Sequence, residues 1–322
     1  MRFSIRVNND LPLSAYPDLA RAAEEAGFDQ FWVSNDLFLR SVWIILSTVA
    51  LATRRIEFGT CIVNPYTMHP SEIAMAAATL DELSGGRFCL GLSSGASDFL
   101  SWVGIEAERP LTRVLETVQV LRRLFAGESA GWRPEAYLRF PPRRIPIYIG
   151  AMSPRMLRAI GRVADGGLPL LFPPEHFPTA MGHIRAGMLE AGRTAEDVDV
   201  AACIWCSVGA DAAQAEVVLR EKIAYYGYSM SPLILEALGV TRDEFEPIRT
   251  AMMVDRDVAR ARSLVTPAML KIGISGTAKD LLPRLEGLVA AGARHLSFGP
   301  PLGPDPRAAT DVLGREVLPY FR

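Results

Sequence analysis

Three short segments of this 322-residue chain combine residue types that could do chemistry. In Gly59–Pro70, GTCIVNPYTMHP, a run of small and apolar residues breaks into Asn-Pro and then His-Pro. Pro65 biases Asn64 to an extended conformation, so its amide can point at a ligand. A loop merely punctuated by prolines would read the same way. In Tyr148–Leu157, YIGAMSPRML, Gly150 and Ala151 permit close backbone approach, Ser153 can cap a helix and Pro154 suits its first position. The free amides of such a helix start make an anion site fit for a phosphate, although an ordinary βα turn needs no ligand. In Phe298–Asp305, FGPPLGPD, prolines and glycines build a rigid loop, either the wall of a cleft or a stiff connection.

Other signals point to less. Gly91–Gly95 reads GLSSG, but a nucleophile elbow needs a helix directly after the serine, and ASDFLSWVG is a poor one. A Gly/Ser-rich strand end approached closely by a ligand, at Ser93 and Gly95, is the better reading. Cys203 and Cys206 form C-x-x-C inside an apolar strand pattern, where alternation sends the two thiols to opposite faces. That suits buried thiols, and neither a metal nor a redox pair. His69, His176, His183 and His295 have no metal-ligand spacing, so no metal site is expected.

The elements that carry these segments repeat one rhythm of apolar run, turn and helical pattern. Arg2–Asn8, Phe28–Ser34, Arg55–Val63, Arg87–Ser93, Ile145–Ala151, Gly167–Phe172, Asp197–Val208 and Ala293–Gly299 read as strands, with helical periodicity between them. A helical stretch at about 212–270 is too long for one crossover and predicts an insertion before the last strand. Eight alternating units predict an α/β fold, a (β/α)8 TIM barrel, as one domain over 1–322. An open doubly wound sheet is disfavoured, because no G-x-G-x-x-G opens the first helix. The barrel puts any site in the loops after the strands.

Composition removes whole classes. Lys+Arg 34 against Asp+Glu 36 gives a net charge of −2, so no basic field draws in nucleic acid. The longest apolar run, Val42–Ala52, is about half of what a bilayer crossing needs. Four cysteines do not make a disulfide scaffold, and no signal-peptide pattern opens the chain. A cytoplasmic protein acting on a small molecule, without membrane or nucleic-acid partner, is expected.

NPYT-x-HP, P-I-Y-I-G-A-x-x-P-x-M-L and GPP-x-GPD resemble the luciferase-like (bacterial luciferase) superfamily, as do ATRRIEFGT (Ala52–Thr60), LDELSGGRFCLGL (Leu80–Leu92) and ADG (Ala164–Gly166). The likeness is closest to the coenzyme F420 (deazaflavin)-dependent branch typified by methylenetetrahydromethanopterin reductase. It implies a (β/α)8 barrel whose tricyclic cofactor rests on a bulge after strand three, with a cis peptide at Cys61–Ile62. It also implies cofactor phosphate at Gly150, Ala151, Met152 and Ser153, and a homodimer or higher homo-oligomer. Hydride would pass between F420 and a small organic substrate. Many relatives read Asp-His at the end of strand two, where this chain has Asn35-Asp36, so Asp36 becomes the candidate for proton transfer. Two other readings keep the fold: an FMN-dependent monooxygenase, and a barrel that binds a ligand without catalysis.

Overall fold

In the computed structural model, which describes residues 1–322 apart from the side chain of Leu233, the repeating units close on themselves. The barrel strands are β1 (Arg2–Val7), β2 (Gln30–Val33), β3 (Glu57–Thr60), β4 (Phe88–Leu92), β5 (Ile147–Ala151), β6 (Gly166–Pro169), β7 (Asp199–Ile204) and, after the short β8 (Cys206–Val208) and β9 (Ile274–Gly276), β10 (His295–Phe298). All pair in parallel, and β1 bonds to both β2 and β10, so the sheet has no edge. The chain is the (β/α)8 barrel that the alternation predicts. Its outer helices are α1 (Ala15–Ala26), α2 (Val42–Ala52), α3 (Pro70–Ser84), the short α4 (Ser97–Ser101), α5 (Pro110–Phe125), α6 (Pro154–Val163) and α7 (Phe177–Glu190). The stretch 212–270 is helical as expected: α8 (Ala212–Tyr226), α9 (Pro232–Leu238), α10 (Glu246–Arg249), α11 (Val258–Leu264) and α12 (Pro267–Leu270). Then α13 (Ala278–Ala290) leads into β10, and α14 (Pro306–Val312) and α15 (Leu318–Phe321) end the chain.

Strand alternation decides which side chains fill the barrel. Phe3, Ile5 and Val7 of β1, and Leu296 and Phe298 of β10, join the apolar layer between strands and helices. Ser4, Arg6, His295 and Ser297, on the alternate positions, are buried polar residues. They form a connected chain: Arg6 Nε donates to Ser297 Oγ at 3.1 Å, Ser4 Oγ to Ser297 Oγ at 2.7 Å, and His295 links Ser4 (2.9 Å) to Asp199 (3.0 Å). Tyr148 and Arg2 also reach Asp199, at 2.9 and 2.8 Å. Burial pushes the Asp199 carboxyl up, but His295, Arg2 and Tyr148 outweigh it and hold it at about 2. The barrel base is therefore a satisfied polar network rather than stacked aliphatic layers.

One strand departs from expectation. Asp197–Val208 is not continuous: it breaks at Trp205, and Cys206–Val208 leaves the barrel to pair with β9, Cys206 opposite Ile274. The Trp205 indole is buried in the core of the inserted helices, against Phe172 (4.6 Å between centroids) and Tyr226 (5.7 Å). The backbone leaves the barrel sheet at this residue. The two thiols still diverge, Cys203 to the barrel interior and Cys206 to the outer layer, and all four cysteines are free.

Candidate functional site

A cavity of about 350 Å³ opens at the C-terminal ends of the strands, within the size range of small-molecule sites. All ten residues singled out in the sequence line it: Asp36, Cys61, Ile62, Asn64, Ser93, Gly95, Gly150, Ala151, Met152 and Ser153.

Register explains the wall after β3. Phe58 lies opposite Phe88 and Gly59 opposite Cys89, but pairing resumes with Val63 opposite Leu92. Four steps along one strand match three along the other, which leaves one extra residue, a bulge. The Cys61–Ile62 peptide within it is cis. The bulge is pinned beyond this point by Val63 N donating to Gly91 O and Ser93 N to Val63 O, both at 3.0 Å. Ile62 leans over Gly150, where an added Cβ would stand 3.0 Å from Ile62 Cγ2. Asn64 is buried, and its Oδ1 accepts from the amides of Tyr66 and Thr67 at 3.0 Å. Its Nδ2, facing Gly95, is what it can offer a ligand.

The wall after β5 is a helix start. Ser153 caps α6, its Oγ accepting from Met156 N at 3.4 Å, and Pro154 opens the first turn. Among the described residues, no protein acceptor takes the amides of Met152 and Ser153, which face the positive end of a ten-residue helix. Ser93 Oγ donates to Gly150 O at 2.7 Å, stitching β4 to β5, and no histidine lines the cavity. The GLSSG segment is thus a strand end and not a nucleophile elbow. His69 lies outside the cavity lining; it caps α3 and packs on Trp132 at 4.8 Å.

Asp36 follows β2, where Asn9 fixes the loop by accepting from Asp36 N (3.2 Å) and donating to Asp36 O (3.0 Å). Burial raises the Asp36 carboxyl above its ordinary range; Lys222 opposes this, Asp10 adds to it, and a hydrogen bond from Ser34 pulls the other way. A carboxyl drawn toward neutrality on the wall of a cavity is suited to proton exchange. Among the lining residues that the sequence reading missed are Arg6, Lys222, Trp205 and Tyr226. Arg6 had a signal, because it occupies the polar half of an alternating strand. Lys222 had a fainter one, as one of only three lysines among 34 basic residues.

The fit to a flat, phosphate-bearing cofactor rests on two features of this chain. A bulge meets a side-chain-free cradle at Gly150, and unpartnered amides at Met152 and Ser153 head a helix.

The profile of the family described as luciferase-like monooxygenase matches residues 1–295. The 5,10-methylenetetrahydromethanopterin reductase of Archaeoglobus fulgidus is 32% identical, with 100% of each chain covered. The F420-dependent glucose-6-phosphate dehydrogenase of Nakamurella multipartita is 28% identical over 96% of this chain and 93% of its own. Among solved structures, the coenzyme F420-dependent tetrahydromethanopterin reductase from Methanopyrus kandleri superposes with a TM-score of 0.89 at 28% identity, covering 100% of this chain and 99% of that one.

Proposed function

The chain belongs to the luciferase-like monooxygenase family, and we propose that within it the protein is an F420-dependent oxidoreductase acting on a small organic molecule. The observation that carries this reading is the meeting, on one cavity, of the β3 bulge and the unpartnered amides at the head of α6. The full-length similarity to F420-dependent enzymes supports it. The whole chain, 1–322, is read as one barrel domain.

When bound, the deazaflavin supplies hydride exchange at its ring carbon C5. The chain's own residues do the rest. Ile62 and the bulge, with Cys61, would hold the ring, and Gly150 and Gly95 would leave room for it. The Gly150–Ser153 turn would hold the phosphate through backbone amides and the helix dipole. Asn64 offers Nδ2 at the edge. Asp36 holds or releases the proton that accompanies hydride transfer, its burial favouring the protonated form.

Four free thiols support a reducing, cytoplasmic location. No helix is long and apolar enough to cross a membrane among the described residues. Exposed apolar side chains on α2 (Ile44, Leu51) and on α3 beside it (Met75, Leu83) support a homodimer.

The test is a side-by-side titration of apo-protein with F420 and FMN, followed by oxygen uptake after reduction. F420 should bind with Kd of about 1 μM or better, about −8 kcal/mol, and FMN at least about tenfold more weakly. Oxygen uptake by the reduced complex should be slow. Tight FMN binding with rapid oxygen consumption would replace this reading with an FMN monooxygenase, and binding of neither would leave an inert barrel.

A further inference from the structure

The cavity carries more positive charge than the cofactor turn uses. Lys222 projects from α8 over three aromatic rings, its Nζ 5.4 Å from the Trp205 centroid, 5.5 Å from Tyr226 and 5.9 Å from Tyr225. Its one hydrogen bond goes to a neutral group, Oδ1 of Asn8, at 3.3 Å. Among the described residues no carboxylate lies within 4 Å of it. Arg6, only 2% exposed, forms part of the same lining. It gives Nε to Ser297 Oγ and Nη2 to the carbonyls of Ile204 and Ser297, while Nη1 has no protein acceptor and no carboxylate forms an ion pair with it. Asp36 is the sole acidic residue of the lining, and burial draws it toward its neutral form.

Lys222 is half-buried and Arg6 buried, and neither has a carboxylate in direct contact; Asp36 and Asp10 act on Lys222 only from beyond ion-pair distance, which leaves room for an anion from outside to pair with it. The cofactor phosphate is badly placed to be that anion. Lys222 bonds Asn8, directly after β1, and β5 is the strand diametrically across the closed barrel from β1. The α6 helix start that suits the phosphate therefore stands on the far side of the mouth. The rings of Trp205 and Tyr226 hold Lys222 by cation–π attraction and offer an apolar wall beside it.

We propose that Lys222, with Arg6 below it, is an anion subsite for the substrate, which carries a carboxylate or phosphate on a body that packs against Trp205 and Tyr226. This rests on the proposed redox reading only for calling the ligand a substrate. The test is calorimetric titration of the full chain at low salt with benzoate, its neutral isostere benzamide, and inorganic phosphate. The same titrations are run on Lys222→Met and Lys222→Arg, with F420 binding measured separately on each. Benzoate or phosphate should bind at least about tenfold more tightly than benzamide. Lys222→Met should lose that binding about tenfold, Lys222→Arg should recover part of it, and F420 affinity should stay within about twofold. Benzoate binding alone points to an organic acid, and phosphate binding alone to a phosphate ester. Equal binding of benzoate and benzamide, or no anion binding, would overturn the proposal. So would anion binding unchanged in a folded Lys222→Met protein, or a parallel fall in F420 affinity. Failure of the wild-type chain to bind F420 would instead count against the redox reading, because the anion titrations need no cofactor.

Discussion

Ser153 serves both the fold and the proposed site, and the two roles can be separated by one substitution. As the N-cap of α6 it accepts from Met156 N. Aspartate caps a helix as well as serine and is favoured by the helix dipole. Ser153→Asp should therefore fold with unchanged or slightly raised thermal stability. Its carboxylate would face the bound phosphate, and two charges about 4 Å apart at an effective dielectric near 20 repel by about 4 kcal/mol. Solvent at this exposed turn reduces that, yet about 1.4 kcal/mol already means tenfold. F420 affinity should fall more than about tenfold by fluorescence titration at low salt, with much of the loss removed by added salt. Unchanged affinity would mean that the phosphate binds elsewhere. This turn was legible in the sequence because Gly-Ala, a capping serine and Pro154 each have a local meaning. Arg6 was less so: alternation showed a polar face on β1 but not that the face points into a barrel. Lys222 was barely legible: its rarity as a lysine hinted at it, but its aromatic box comes from Trp205 and its own helix, and only folding brings these beside Asn8.

The α6 helix is held in place by close backbone packing against α7. A Cβ added to Gly161 would meet the Ile184 carbonyl at 2.1 Å, and one added to Gly187 would meet the Arg158 carbonyl at 2.0 Å. Backbone atoms cannot turn aside as side chains do, so the helices must separate. Gly187→Ala should destabilise the protein by about 1–3 kcal/mol, and by shifting α6 it should also weaken F420 binding. Gly182, on an exposed part of the same helix, has open space at its Cβ position. Gly182→Ala should stabilise by about 0.5–1 kcal/mol. Chemical denaturation of the pair checks the argument; equal effects would show that helix propensity alone decides. Periodicity gave both helices nearly to their ends, since α6 and α7 each turn a regular apolar face to the sheet. It did not reveal which glycines touch, nor the break at Trp205. Both depend on a partner far along the chain: α7 for Gly161, β9 for the backbone beyond Trp205.

At the scale of the molecule, α2 presents an unusual surface. VWIILSTVALA has no charged residue, yet Ile44 is 57% exposed and Leu51 is 74% exposed. They stand seven residues apart, on one stripe of the helix. Met75 and Leu83 are exposed on α3, which packs beside α2. A single exposed apolar side chain needs no explanation, but several on two helices packed side by side fit an interaction surface. These helices follow β2 and β3, whose far ends carry Asp36 and the Cys61–Ile62 bulge, so a partner here would buttress the cofactor wall from behind. The homodimer proposed above would use this surface, since a self-complementary twofold contact needs only one patch. The double substitution Ile44→Glu and Leu51→Glu places like charges on both sides of such a contact. Wild-type protein should run as a dimer by light scattering, with a melting temperature that rises with concentration. The double variant should run as a monomer whose melting temperature does not depend on concentration and whose F420 affinity is reduced. A wild-type monomer at about 100 μM, well above the Kd of a stable pair, would show that the stripe serves something other than self-association.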